Sequence, residues 1–209
     1  MYMVVRVVAM VGLLVSLVGT ADAGPTKYEA PPYVTGPKLV DLGNHAEIDL
    51  SAGMILFDRI EAQRLLRKAG EPAEDVVAIV RRPDADWSVI LSYSATGYVN
   101  DADPSTLDAG ELLAAYRAAN QAQNERRRAP KLGSQLVPEL VIDGWAEPPH
   151  YDRAQHHLVW GVAAHKAGRA LVNHFTRILG RDGFLSVNLI DAAETMQRSR
   201  QDVRSIVEA

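Results

Sequence analysis

From Lys38 onward the chain alternates short apolar runs with turn residues, and the spacing switches repeatedly between strand and helix periods. Leu39, Val40 and Leu42 lead to Ile48 and Leu50 across Gly43-Asn44, the pattern of a small hairpin with a Gly-Asn turn, and Met54 to Phe57 extends that sheet. Asp58 to Ala69 reads as a helix, capped by Asp58, with Ile60, Leu65, Leu66 and Ala69 near one face and with Gly70 and Pro72 to stop it. Val76 to Val80 and Trp87 to Tyr93 are strands separated by Arg81-Arg82-Pro83-Asp84, where proline's fixed φ favours a turn. In the second of these, Val89 and Leu91 alternate with Ser88, Ile90 and Ser92, which predicts one face more apolar than the other.

A longer helix is predicted over Leu107 to Arg128, capped by Ser105 or Thr106. Asp108 and Glu111 lie in its early turns, Leu112, Leu113, Tyr116 and Ala119 form its apolar stripe, and Arg126 to Arg128 stand at the end that favours cations. Then come three predicted antiparallel hairpins in succession. Leu140 to Trp145 starts the first, and His156 to His165 returns with Leu158, Trp160, Val162 and Ala164 on one side. Lys166 to Arg169 and Gly180 to Gly183 make the next turns around Leu171 to Leu179, and Phe184 to Ile190 is the last strand. Asp191 starts a closing helix that carries Met196, Val203, Ile206 and Val207. Helices covering an antiparallel sheet make an α+β layered domain. Its densest stretch is Gly144 to Trp160, with two of the three tryptophans, Pro148-Pro149 and three of the six histidines, and it is expected as the central ribbon of the sheet.

The first residues do not belong to this pattern. Arg6 precedes an apolar run, Val7 to Val18, and Ala21-Asp22-Ala23 is a small-x-small cleavage signature, so residues 1–23 read as a secretory signal peptide. The run is shorter than the roughly 20 residues of a membrane span. Residues 24–37 are rich in Pro and Gly and read as an extended linker, leaving 38–209 as a single domain. The expected location is periplasmic or secreted, with membrane attachment only through an uncleaved N-terminal segment.

Charge narrows the function classes. The net charge is −4 and is unchanged by loss of residues 1–23, which carry one Arg and one Asp. That excludes the basic footprint of a nucleic-acid binder and the polybasic attraction to anionic lipid. With no cysteine there is no disulfide, and stability has to come from the core.

Candidate chemistry concentrates at the Pro-Pro hairpin. If Asp152 to Gln155 is a four-residue loop, His150 faces His157 closely enough for two imidazoles to share a metal, while a usual third ligand is lacking because Glu147 lies far along the strand. The bland alternative is a half-exposed pair at a hairpin end, and it is preferred, so no cofactor and no metal are assigned. Glu147, His150 and Asp152 have the types needed for acid/base work, against the alternative that Pro148 and Pro149 mark a bulge that protects a sheet edge. Asn100 to Ser105 has carboxylates at calcium-loop spacing, but Thr106 replaces the required Gly and Leu112 the terminal Glu. Nucleophile elbows, phosphate loops and His-Glu-x-x-His are absent from the sequence. Trp145 and Trp160 read as core aromatics.

Four phrases taken together resemble one bacterial family: GPKLVDLG (Gly36 to Gly43), DADWSVILSYSATGYVNDAD (Asp84 to Asp103), GWAEPPHYD (Gly144 to Asp152) and VNHFTRILGRDGFLSVNLI (Val172 to Ile190). The family is the domain-of-unknown-function 2167 group, described as uncharacterised membrane-anchored proteins. The resemblance covers nearly all of the chain after residue 23 and implies a further segment and a C-terminal anchor beyond the equivalent of Ala209. It also implies Tyr where this chain has His174. The order of elements looks like the α/β/α sandwich of PsbP-like proteins, an analogy of fold without an activity. The preferred expectation is an exported binding or interaction module without catalysis, with an unidentified envelope protein or small ligand as partner. Its candidate contact surface is Glu147, Pro148, Pro149, His150, Tyr151 and Asp152, and the loop Gly97 to Asp103 is a second one. The alternative is a hydrolase using Glu147, His150 and Asp152, with or without a metal. A third reading is a truncated relative whose activity went with the anchor.

Overall fold

A computed structural model describes residues 31–43, 46–97, 108–128 and 138–207. The signal-peptide reading of 1–23, Asn44 of the expected turn, the Ser105 and Thr106 caps and the Asn100 to Ser105 loop lie outside the described residues.

Among the described residues ten strands and four helices follow in the order β1 (Val34–Thr35), β2 (Lys38–Asp41), β3 (Glu47–Leu50), β4 (Ile55–Phe57), α1 (Arg59–Lys68), β5 (Val76–Arg81), β6 (Ser88–Ser94), α2 (Ala109–Arg128), β7 (Leu140–Asp152), β8 (His157–Lys166), β9 (Arg169–Leu179), β10 (Phe184–Ala192), α3 (Met196–Asp202) and α4 (Arg204–Val207). Eight strands form one sheet, β1-β4-β5-β6-β10-β9-β8-β7, and every recorded pairing is antiparallel. The last four strands form the expected meander, joined to the first half through β10 against β6.

This topology moves the tryptophan-bearing ribbon from the centre to the rim, because β7 is an edge strand. Among the described residues β2 and β3 pair only with each other, as a separate hairpin over the sheet, and their connection runs from Leu42 to Ala46 rather than through two residues. β4 therefore joins the main sheet instead of extending that hairpin. The stretch 24–37, expected as linker, ends in β1, which pairs with β4.

Alternation along each strand divides the core between two faces. On one face, Leu56, Val80, Val89, Leu91, Val187 and Leu189 pack with Ile48 and Leu50 of the small hairpin and with Met196, Val203 and Ile206 at the C-terminal end. On the other, α1 lies over Phe57, Ile79, Ile90 and Ile190 through Ala62 and Leu66. Beside it, α2 lies over Leu140, Ile142, Trp160, Val162 and Phe175 through Leu112 and Tyr116. Both faces of β6 are thus covered, and Val89, Ile90 and Leu91 are all buried, where one apolar face had been expected. The result is one three-layered α+β domain.

Local signals account for most boundaries. The Asp58 carboxylate accepts from the Glu61 N–H at 3.0 Å and starts α1. Gly70, at φ 76°, closes it in a Schellman arrangement, with Glu71 N–H donating to Leu66 and Gly70 N–H to Arg67. Asp108 caps α2 by accepting from Gly110 and Glu111 N–H at 2.7 and 3.0 Å, two or three residues later than the sequence suggested. Asp191 remains in β10, and the closing helix begins at Met196 and breaks at Val203 into α3 and α4.

A histidine-lined cleft at the sheet rim

β7 bends at three irregularities, between Ile142 and Gly144, between Trp145 and Glu147, and between Glu147 and His150. Each inserted residue changes which face the following side chains use. Leu140, Ile142 and Trp145 join the core under α2, whereas Glu147, His150 and Asp152 line the opposite face. Pro148 and Pro149 lie within the last irregularity and have no Cα partner on β8.

On that opposite face, β7 to β10 form the floor of a cleft of about 740 Å³, with α3 and α4 as one wall. Val159, Val172, Val187 and Leu189 supply apolar floor, and Met196, Val203 and Val207 apolar wall. The polar groups gather over β7 to β9 and on α3.

Glycine makes their convergence possible. Gly161 on β8 pairs with Glu147 on β7 and with His174 on β9, so the three form one row across the sheet. Strands two apart are separated by roughly 9–10 Å. Only an empty position between them lets the side chains lean together. A Cβ at Gly161 would stand 3.3 Å from the Glu147 Cβ and backbone nitrogen. His174 Nε2 lies 3.2 Å from Glu147 Oε2, out of hydrogen-bond alignment, so the contact is a close electrostatic one. Arg200 of α3 reaches the same oxygen at 3.1 Å and joins wall to floor. His150 Nε2 approaches Glu147 Oε1 at 3.7 Å. The His150 Nδ1 is 3.2 Å from the Pro148 carbonyl, an acceptor only, so that nitrogen carries the proton.

His174 is buried, and that burial, with Arg200 and His150 nearby, pushes its pKa down to about 4 against the opposing pull of Glu147. Its imidazole is neutral at physiological pH. His157 is also held below its ordinary value, first by burial, then by His156, with Asp152 opposing.

The expected pairing of His150 with His157 is corrected by the register. His150 faces Val159, and His157 faces Asp152. The loop is residues 153–156, one residue later than expected, which shifts every partner. Asp152 spends its Oδ1 on the loop, accepting from Ala154 and Gln155 N–H at 2.9 and 3.3 Å. Among the described residues no group of three or more His, Asp or Glu side chains is arranged to hold a metal ion. Of the expected contact residues, Glu147, His150 and Asp152 line the cleft, whereas Pro148, Pro149 and Tyr151 lie outside its lining, and Tyr151 contacts His156 instead. Sequence reasoning missed Gly161 and Arg200. A glycine inside a strand was the available signal for the first; nothing marked Arg200.

A family model described as a protein of unknown function, DUF2167, matches residues 34–209. The chain belongs to the DUF2167 family. The match begins at β1 and runs through all ten strands and four helices of this DUF2167 domain. No curated protein matches the chain. Among solved structures, the DUF2167 chain is similar to the solution structure of cyanobacterial PsbP (CyanoP) from Synechocystis sp. PCC 6803. The identity is 9%, the TM-score 0.45, and the alignment covers 88% of this chain and 94% of that one. So distant a likeness transfers no property, and the α+β architecture rests on the pairings given above. Among the described residues no helix is long and apolar enough to cross a membrane.

Proposed function

We propose that this DUF2167 domain is an exported binding module of the cell envelope that holds a small ligand in the rim cleft. One observation carries this reading: a cleft of about 740 Å³, within the usual range for small-ligand sites, whose apolar floor ends in the Glu147, His174 and Arg200 cluster. Apolar surface supplies affinity and the charged end supplies orientation. Export is supported by Arg6, the apolar run Val7 to Val18 and Ala21-Asp22-Ala23.

The acid/base alternative has one observation in its favour, the carboxylate between two imidazoles. Against it, the Glu147 Oε2 that faces His174 already accepts from Arg200 at 3.1 Å and is not free to take a proton from a substrate. Binding is therefore the better-supported reading.

The test uses anilinonaphthalene sulfonate, whose rings suit the apolar floor and whose anion suits Arg200. The expected result is saturable one-to-one fluorescence enhancement that Gln197→Trp, on the exposed wall helix, abolishes without lowering Tm. Enhancement indifferent to Gln197→Trp sinks the reading. Hydrolysis of p-nitrophenyl acetate above the buffer rate, removed by Glu147→Gln, selects the acid/base alternative.

A further inference from the structure

On the other face of the sheet a second row of residues has no assigned role. Ser92 on β6, Ser186 on β10 and Arg177 on β9 are consecutive partners in register, and they share the face covered by α2. Directly opposed side chains have Cβ atoms about 4.5–5.5 Å apart, so the two hydroxyls and the stem of the arginine start side by side. All three line a cavity of about 80 Å³, separate from the rim cleft, together with Tyr116 and Phe184.

Arg177 is the unusual member. Its guanidinium carbon lies 4.3 Å from the centroid of the Phe184 ring and 5.0 Å from that of Trp160. Its Nε is shut off from solvent without a hydrogen-bond partner, and among the described residues no carboxylate pairs with it. Cation–π attraction is several times weaker than the cost of withdrawing a charge from water. An apolar side chain would fill such a place better, unless the charge has a use. Burial pushes Arg177 down to about 10, so it is still charged at neutral pH. Tyr116, whose pKa is raised mainly by burial, keeps its proton. Its hydroxyl accepts from Trp160 Nε1–H at 3.1 Å, and its own O–H has no acceptor among the described residues.

We propose that the Ser92, Ser186 and Arg177 row, roofed by Tyr116 and Phe184, is a binding site for a small organic monocarboxylate. The guanidinium fork matches a carboxylate in two parallel hydrogen bonds, and the rings accept a short apolar tail. The cavity's size limits the ligand to a few heavy atoms. Glu74 and Asp75 also line it, and Glu74, lowered chiefly by backbone N–H donors, is ionised. Two carboxylates nearby oppose a dianion more than a monoanion, which disfavours phosphate and sulfate.

The experiment titrates the full chain with sodium acetate or propionate at neutral pH, with chloride and phosphate at matched ionic strength as controls. The expected result is a rise in Tm, about 3–6 °C at roughly ten times Kd and continuing with the logarithm of concentration above it, with acetate and propionate but not with the controls. The Arg177 Nε–H resonance should shift with the same ligands and saturate with the Kd that the Tm series gives. Arg177→Met should melt no lower than the parent in chloride and lose the response, and Ser186→Ala should weaken binding about tenfold. Equal midpoints in acetate and chloride, a response to phosphate alone, or an Arg177→Met protein that still responds would each overturn the proposal. If Arg177→Met does not fold, an unmoved Nε–H resonance in the native chain overturns it.

Discussion

At the scale of single residues, His174 sets a measurable pH dependence. In the folded chain its pKa is about 4, lowered by burial and by Arg200 and His150 and raised by Glu147, whereas an exposed imidazole titrates near 6.5. The unfolded chain therefore takes up a proton that the folded chain refuses. Stability from this group is complete above about pH 6.5, falls as the pH drops toward 4, and levels off below, for a total of about 3 kcal/mol. His157 shifts in the same direction and adds to the slope. The expected outcome is a Tm that declines steadily from pH 6.5 to pH 4 in melts recorded by circular dichroism. His174→Tyr, the residue implied by the family resemblance, should flatten most of that decline and leave the smaller part due to His157. A decline of the same steepness in His174→Tyr would show that the neutral imidazole is not its source. Of this arrangement, the hairpin residues Glu147 and His150 were legible in the sequence because they sit beside Pro148-Pro149. The Glu147 to His174 contact was not, because it depends on register across three strands and on the missing side chain of Gly161.

At the scale of elements, period was read well, but of the caps only Asp58 was, and orientation was read less well. α1 buries Glu61, Ala62 and Leu66 and leaves Ile60 78% exposed, so the expected stripe is rotated. The reason is local: Glu61 is held by Arg64 on its own helix and can be covered, which an apolarity count does not register. α2 continues its buried stripe with Asn120, Gln123 and Asn124, amides that replace apolar contact by hydrogen bonds to backbone. Asn120 and Asn124 both donate to the Leu140 carbonyl, at 2.8 and 2.7 Å, and Gln123 donates to Gly70 at 2.6 Å. Polar residues on an inner face therefore mark a docking seam here. The closing helix was placed too early for a similar reason. Asp191 resembles a cap, yet it is a buried strand residue whose carboxylate accepts from Thr195 and Ser199 hydroxyls at 2.7 and 2.6 Å. It anchors the wall of the cleft from below. Asp191→Ala should cost about 2–3 kcal/mol in urea unfolding. It should also speed amide exchange across residues 196–202 more than in β8 and β9. Uniform acceleration throughout the chain would mean that α3 is not held locally.

At the scale of the whole molecule, the decisive fact is where the sheet ends. Among the described residues one margin is β1, only two residues long, and the other is β7, thirteen residues long and paired on one side only. The strands after β1 and the three hairpins were legible because turn residues punctuate the sequence. The order of strands was not, since nothing local tells a meander which of its ends meets β6. Once β10 takes that place, β7 becomes a long free edge, the kind of surface that recruits another strand. The three irregularities interrupt its ladder, and Pro148-Pro149 removes two N–H donors from the stretch beside Glu147. The feature that bends Glu147 and His150 into the cleft is thus also the one that blunts the edge. Restoring the donors with Pro148→Val and Pro149→Val should straighten β7 and expose a continuous ladder. Sedimentation velocity should then show self-association that rises with concentration beyond that of the parent chain. The same variant should lose anilinonaphthalene sulfonate binding, because a straightened strand withdraws Glu147 from His174. Loss of dye binding without added self-association would assign the prolines to the cleft alone, and unchanged behaviour in both assays would refute the coupling of edge to cleft.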